Sequence, residues 1–124
     1  MEDEPSDPAI DTATGLRYAG GRPALYQRLL GRFEVTQQDV VTRIDAAVGR
    51  GDMVEAYRLA HTLKSAAATV GAMPLSDAAR ALEAAYAAGR TAVAEAALTE
   101  LRERFDEAMR VIRARLGTDP APPG

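Results

Sequence analysis

Apolar side chains recur every three or four residues along most of the chain, from Val40 to Leu116. This spacing gathers them on one face of an α-helix, and no segment shows the strict alternation of a half-buried strand. Glycine and proline interrupt the pattern at Gly49, Gly71 and Pro74, so the connections between helices are short. Short connections favour helices that run antiparallel to their neighbours. The sequence therefore predicts an all-α fold: an antiparallel up-down four-helix bundle with a short extra N-terminal helix.

The N-terminal part of the chain carries weaker signals. Residues 1–9 are acidic and contain two prolines, which predicts a disordered leader. Residues 10–21 contain turn-forming residues and a Gly-Gly pair, which predicts an ordered loop. Pro23 can occupy the first position of a helix, because the amide that it lacks would have no partner there. We expect the short helix to follow as far as Phe33, with a break within residues 34–37 before the next helix.

Clearer signals bound the later helices. Asp52, with Glu55 three residues later, is a variant of the capping box, in which an acceptor side chain satisfies the first free amides of a helix. It predicts a helix from Met53 to Val70. The remaining predicted signals are Gly71 as the left-handed end of that helix, Pro74 and Gly89 near the two ends of the next helix, Thr91 as the N-cap of a last helix of about 25 residues, and residues 117–124 as a flexible proline-rich tail.

Composition narrows the classes of function. The 124 residues suffice for one compact domain, which we place at residues 10–116. A formal net charge of −3 argues against a nucleic-acid partner. No apolar run approaches the roughly 20 residues of a membrane span, and the acidic N-terminus lacks the features of a signal peptide. We therefore expect a cytoplasmic monomer that binds neither nucleic acid nor membranes.

His61 is the only histidine in the sequence. When its surroundings are placed on a helix, Leu59, Leu63 and Ala67 share a face that suits the core. His61 points the opposite way, with Lys64 one turn later. We therefore expect an exposed imidazole that is open to another macromolecule.

Small and apolar side chains share the histidine face: Val54, Tyr57, Ser65 and Ala68. Exposed apolar residues that cluster tend to mark an interaction site. Small neighbours also leave room for a partner to approach the imidazole. The pattern predicts a docking surface around His61; the alternative is that the N-terminal helix covers Val54 and Tyr57.

The residues around His61 resemble the signature of histidine-containing phosphotransfer (HPt) domains. The matching residues are His61-Thr62-Leu63-Lys64-Ser65, Gly71, Leu75 and Leu82-Glu83. A longer pattern upstream is similar to the HPt modules of hybrid sensor kinases, and its residues are Ile10-Asp11, Gly15-Leu16, Gly20-Gly21, Leu25-Tyr26, Leu29-Leu30 and Phe33. The resemblance covers residues 10–116. It implies a phosphorelay intermediate that accepts a phosphoryl group on His61 from a receiver-domain aspartate and passes it to another receiver, without an ATP-binding kinase core.

The resemblance also implies roles for the residues near the histidine. Lys64, and Arg80 from the next helix, would supply positive charge to the phosphoryl group. Glu83 would accept a hydrogen bond from the imidazole and orient it. Many family members have glycine in place of Ser65 and asparagine in place of Thr69. With threonine at position 69, the resemblance does not predict whether one side-chain hydrogen bond forms. The alternative for Lys64 and Glu83 is that both are ordinary solvated side chains.

Other site chemistries fit poorly. One histidine and no cysteine cannot build a usual zinc site, and no glycine-rich phosphate loop follows a strand. We expect no metal or cofactor in this chain, with Mg²⁺ confined to the partner receiver domain. The expected partners are response-regulator receiver domains and a hybrid sensor kinase. An alternative is a non-phosphorylated helical-bundle interaction module in signalling, and a fragment of a larger kinase would have the same sequence features.

Overall fold

A computed structural model describes residues 7–117. Within that range the chain forms six α-helices and no β-strand. The helices are α1 (Thr12–Tyr18), α2 (Pro23–Gln37), α3 (Val40–Gly49), α4 (Met53–Thr69), α5 (Met73–Ala87) and α6 (Thr91–Leu116). None of these helices is long and apolar enough to cross a lipid bilayer. The all-α fold is confirmed for this part of the chain, whereas the antiparallel up-down order stays a prediction.

The two predicted flexible ends fall mostly outside the described residues, which omit 1–6 and 118–124. The leader predicted over residues 1–9 includes three residues that the structure does describe. Ala9 is buried, and its amide donates a hydrogen bond of 2.9 Å to the side chain of Asp7. Packing of the chain against the bundle therefore begins before the predicted domain boundary.

The prediction of a loop over residues 10–21 is wrong, because α1 forms inside it. Asp11 caps this helix: its side chain accepts hydrogen bonds from the Thr14 amide at 3.3 Å and from the Thr14 hydroxyl at 2.8 Å. Gly15 lies against the ring of Tyr26, where a Cβ atom would come within 2.3 Å of a ring carbon. Close packing between α1 and α2 therefore accounts for a glycine that local propensity assigns to a turn.

The first long helix is also longer than predicted. α2 continues past Phe33 to Gln37, and the break falls at Gln38 and Asp39, just after the predicted range of 34–37. Asp39 makes no side-chain capping hydrogen bond, and the Gln38 side chain donates only a long one, of 3.4 Å, to the Val35 carbonyl. Gln38 keeps right-handed helical backbone angles. No glycine or proline marks the position. The boundary therefore has no strong local signal.

The predicted start of α4 is confirmed, but only half of the capping box forms. The Asp52 side chain accepts a hydrogen bond of 3.0 Å from the Glu55 amide. The Glu55 carboxylate pairs instead with Arg58, and the Asp52 amide donates to the Ala47 carbonyl at 2.8 Å. The Asp52 side chain therefore caps the start of α4. The reciprocal bond between the Asp52 amide and the Glu55 side chain does not form, because each of these groups binds another partner.

The start of α6 differs from the prediction. Thr91 is the first helical residue and Arg90 is the N-cap, with no side-chain capping bond. The Arg90 carbonyl accepts the first bond of the helix, from the Ala94 amide at 2.9 Å. Because Gly89 has a φ of +66° and reverses the chain, the helix begins at once after it. The helix has 26 residues, close to the predicted length.

The core holds α4 in a fixed rotation. α4 packs against α3 and α5, α5 packs against α6, and α2 contacts both α4 and α6. The largest fully buried side chains include Leu30, Ile44, Leu63, Leu75, Leu82, Leu101 and Ile112. Each such burial contributes roughly 1.5–3 kcal/mol. The buried stripe of α4, which includes the predicted Leu59, Leu63 and Ala67, turns the opposite face of the helix outward.

The N-terminal segment is tied to the turn between α4 and α5. The Asp11 amide donates a hydrogen bond of 2.7 Å to the Gly71 carbonyl. The Tyr26 hydroxyl donates to the neighbouring Val70 carbonyl at 2.8 Å. Gly71 has a φ of +83°, as its predicted left-handed position requires. These contacts connect Asp11, before α1, and Tyr26, in α2, directly to the end of α4, the helix that carries His61.

Candidate functional site

His61 lies on the outward face of α4. Its side chain is 54% exposed, in agreement with the helical periodicity. Thr62, Ser65 and Arg58 on the same helix are also exposed, while the Leu59 and Leu63 side chains are buried. The imidazole is therefore presented to solvent by a helix whose opposite side is fixed in the core.

Glu83 reaches this histidine from α5. Its Oε2 atom lies 2.5 Å from the Nδ1 atom of His61, and its Oε1 atom lies 2.7 Å from the Nζ atom of Lys64. The Glu83 side chain is only 12% exposed. Because His61 and Lys64 are about one helical turn apart, a single carboxylate from the neighbouring helix contacts both. The structure thus brings together three of the predicted site residues.

The Glu83 carboxyl is strongly biased towards its ionised form. Its pKa falls from 4.5 to about 2, chiefly because Lys64 donates a hydrogen bond to it. Burial opposes this change, and the hydrogen bond from His61, the charge of Lys64 and the hydroxyl of Tyr57 add to it. Near neutral pH the pair therefore consists of a carboxylate and an ammonium group in contact.

The ionised carboxylate determines which tautomer the neutral imidazole adopts. A carboxylate only accepts hydrogen bonds, so the Nδ1 atom of His61 must carry the proton that Glu83 receives. The Nε2 atom then keeps its lone pair. This arrangement leaves one exposed ring nitrogen that can act as a nucleophile, and it gives the ring a negative partner if it becomes positively charged.

Ser76 is a positioning residue that the sequence reasoning missed. Its side chain is buried, and its hydroxyl donates a hydrogen bond of 2.8 Å to the main-chain carbonyl of Lys64. Ser76 lies seven residues before Glu83, which is about two helical turns, so both face α4. The bond fixes the register of α5 against α4. A polar residue beside the apolar stripe of α5 was the available sequence signal.

The predicted docking residues are not covered by the N-terminal helices. Val54 is 81% exposed and Tyr57 is 37% exposed, so the alternative in which they are buried beneath the N-terminal helix is wrong. Ser65 is exposed and Ala68 is half-buried. The Tyr57 ring lies nearly parallel to the imidazole of His61, with 12° between the planes and 6.1 Å between the ring centroids.

Among residues 7–117, two other residues named from the sequence, Arg80 and Thr69, stand outside the hydrogen bonds that join His61, Lys64 and Glu83. Arg80 is exposed on α5, and among residues 7–117 no hydrogen bond or ion pair joins it to His61 or Glu83. The Thr69 hydroxyl donates a hydrogen bond of 3.0 Å to the Ser65 carbonyl within α4. Thr69 therefore satisfies its side chain locally, where many members of the resembled family have asparagine.

The lowered pKa of Glu83, which Lys64 causes most strongly, predicts a pH-dependent contribution to stability. A group whose folded pKa is depressed stabilises the fold above its unfolded pKa and loses this effect as pH falls through the folded pKa. Glu83→Gln should therefore lower the free energy of unfolding by about 2–3 kcal/mol above pH 5.

The loss caused by Glu83→Gln should shrink as the pH falls from about 5 to about 2, because the carboxyl of the unfolded chain takes up its proton over this range and the folded carboxyl is half protonated at its end. Urea unfolding of both proteins across this range measures the difference. The carboxyls of Asp11 and Glu55, which also have lowered pKa values because Thr14 and Arg58 donate hydrogen bonds to them, are present in both proteins and cancel. A difference that stays constant with pH would contradict the prediction.

Within residues 7–117 no group of three histidine, aspartate or glutamate side chains is placed to hold a metal ion.

Comparison with known proteins identifies the family of this chain. The family model of the Hpt domain matches residues 28–111, which is more than half of the chain. The match starts inside α2, ends inside α6 and includes His61, Lys64 and Glu83. Searches of curated proteins and of solved structures gave no match. By the extent of the family match, the chain belongs to the Hpt domain family.

Proposed function

We propose that this protein is a phosphorelay intermediate that accepts a phosphoryl group on the Nε2 atom of His61 from a receiver-domain aspartate and passes it to another receiver. Hpt domains in general carry phosphoryl groups and are not kinases. The observation that best supports the assignment is the hydrogen bond from the Nδ1 atom of His61 to Glu83, because it leaves an exposed Nε2 lone pair. We also propose that α3 to α6 run up and down as antiparallel neighbours.

The transfer is a displacement at phosphorus. The Nε2 lone pair attacks the phosphorus atom of the aspartyl phosphate, the bond from phosphorus to the aspartate oxygen breaks, and the carboxylate leaves with the electron pair. The ring becomes positively charged as the new bond forms, and the Glu83 carboxylate at Nδ1 offsets that charge. Mg²⁺ belongs to the aspartate site of the receiver. The reverse sequence of bonds delivers the group to a second receiver.

The charges around His61 suit a protein that passes the phosphoryl group on rather than one that retains it. Lys64 lies beside the histidine but is held by Glu83, so its charge is partly balanced before the phosphoryl group arrives. Its flexible side chain can contact a phosphoryl oxygen without a rigid, bidentate clamp. Arg80 supplies a second, more distant cation on α5 in this proposal.

The direct test is transfer of radioactive phosphate from a phosphorylated receiver domain in the presence of Mg²⁺. Label should move to the protein within the assay and return when an unphosphorylated receiver is added. The labelled bond should be stable in alkali and labile in acid, because protonation of the ring makes it a better leaving group. Absence of label with every receiver and hybrid kinase of the same organism would favour the helical interaction module instead.

Lys64→Ala should slow transfer by roughly tenfold, because a positive charge close to the developing phosphoryl charge is removed. The matched control is Arg58→Ala, which removes a cation from the exposed face of the same helix; the Arg58 guanidinium pairs with Glu55. Rapid-quench measurement of labelled protein gives both rates. Equal rates for the two variants and the wild type, at matched stability, would make Lys64 an ordinary surface residue.

Val54→Asp should weaken receiver binding by about tenfold, which corresponds to about 1.4 kcal/mol. Val54 is largely exposed and lies two turns before His61 on the same face of α4, so a carboxylate there must be desolvated when a partner docks. Val35→Asp is the control, because Val35 is also an exposed valine but lies on α2. Isothermal titration with a receiver compares the two dissociation constants. An unchanged constant for Val54→Asp would remove Val54 from the docking surface.

A further inference from the structure

The Tyr57 side chain lies on α4 one turn before His61. The two rings are nearly parallel, with 12° between their planes and 6.1 Å between their centroids. Aromatic pairs in contact have ring centroids 4.5–7 Å apart and favour offset stacking. Tyr57 is the more covered of the two side chains, so its ring provides a fixed surface for the imidazole.

We infer that Tyr57 is a positioning residue that sets the plane of the His61 imidazole before any partner arrives, an inference that rests on the proposed phosphoryl transfer at this histidine. The hydrogen bond to Glu83 fixes one ring atom, Nδ1, but a ring held at one atom can still rock about that bond. The χ2 torsion of histidine has broad minima and does not prevent this motion. Stacking against Tyr57 restricts it.

The hydroxyl of Tyr57 acts on the same site. Tyr57, His61 and Lys64 follow one another at intervals of four and three residues along one side of α4. His61 and Lys64 bind the two oxygens of Glu83, and the Tyr57 hydroxyl is among the groups that lower the pKa of the same carboxyl, after Lys64 and His61. The tyrosine ring therefore stacks on the imidazole, and its hydroxyl favours the ionised form of the carboxylate that binds the imidazole.

The orientation of the ring matters because the attack on phosphorus has to be in line. A misplacement of 1 Å at a reacting centre can cost about a hundredfold in rate. A docking residue affects only reactions in which a protein partner binds. A positioning residue also affects the reaction of His61 with a donor that is too small to use the docking surface.

Phosphoramidate provides such a donor. The Nε2 atom of His61 attacks its phosphorus, the phosphorus–nitrogen bond breaks, and the leaving nitrogen departs as ammonia after taking up a proton. We expect Tyr57→Leu to slow this phosphorylation by at least roughly threefold. Tyr57→Phe, which keeps the ring, should stay closer to the wild type. Val35→Ala is the control, because Val35 is also an exposed valine but lies on α2, outside the docking surface, and it should react at the wild-type rate.

Nitrogen-15 NMR of the two ring nitrogens of His61 adds a readout that needs no phosphoryl donor. In the wild type near neutral pH, the neutral ring should show a protonated Nδ1 and an unprotonated Nε2. Tyr57→Leu should move both shifts towards an average of the two tautomers, while Val35→Ala should leave them unchanged. Thermal unfolding identifies any variant that is not folded at the assay temperature, and Tyr57→Phe then replaces Tyr57→Leu with a smaller expected change.

The outcomes separate the inference from the proposed function. Wild-type phosphoramidate rates and wild-type ring shifts in a folded Tyr57→Leu protein would overturn the positioning role, and a slower transfer from a receiver alone would make Tyr57 a docking residue. If both effects appear but no phosphorylated receiver labels the wild type, Tyr57 positions the ring and the carrier function fails.

Discussion

His61→Gln should fold like the wild type and accept no phosphoryl label from a receiver. No other histidine is present, so no second imidazole can form the phosphorus–nitrogen bond. The loss should be complete rather than partial, since an amide nitrogen has no available lone pair for the attack. This is the largest effect on activity that we expect from any single substitution in the chain.

The stability of His61→Gln should change little, by less than about 1 kcal/mol. The side chain is more than half exposed and lies opposite the buried stripe of α4. Glutamine also retains an amide that can donate to Glu83, so the carboxylate keeps a hydrogen-bond donor. Urea unfolding and the label assay are run on the same preparation. Label on a folded His61→Gln protein would assign the phosphorylated site to another residue.

The parts of the fold that the sequence predicts well are those with strong local chemistry. An apolar stripe, an Asp52 cap, a Pro74 start and a Gly71 end together define α4 and the beginning of α5. The region before α2 lacks such agreement. From local sequence alone, Gly15 indicates a turn. In the structure it leaves room for the ring of Tyr26, a contact that depends on tertiary packing.

The features of the site also separate into those that local sequence predicts and those that depend on tertiary packing. The exposed position of His61 and the proximity of Lys64 follow from helical spacing on one element. The contact between Glu83 and both side chains depends on the register of α5 against α4, which periodicity does not give; the family resemblance suggested it. The Ser76 contact depends on the same register. Tyr57 lies one turn from His61 on the same helix, so spacing places the two side chains near each other, but the stacking of the rings depends on their rotamers.

Gly71→Ala should cause the largest loss of stability among the substitutions considered, about 3 kcal/mol or more. Gly71 has a φ of +83°, a left-handed conformation that costs a residue with a Cβ atom roughly 1–2 kcal/mol. A Cβ atom there would also lie 2.1 Å from the Asp11 carbonyl oxygen and 3.0 Å from its carbon. Both are backbone atoms, so a flexible side chain cannot relieve the clash.

The second part of the cost falls on the N-terminal segment. To make room, Asp11 must move and lose the hydrogen bond of 2.7 Å that its amide donates to the Gly71 carbonyl. The buried Ile10 side chain moves with it. Hydrogen exchange at the Asp11 amide should therefore become faster, which a change confined to the backbone of residue 71 would not produce.

Gly51→Ala separates the two contributions to this loss. Gly51 has a φ of +76°, but nothing lies within 4 Å of the Cβ position. It should therefore show only the conformational cost, roughly 1–2 kcal/mol, and unfolding in urea should separate it clearly from Gly71→Ala. Equal losses of stability for the two variants, with unchanged hydrogen exchange at Asp11, would mean that the N-terminal segment moves aside without any loss of stability. A larger loss of stability for Gly71→Ala would identify Gly71 as the position where the N-terminal residues outside the family match pack against the end of α4.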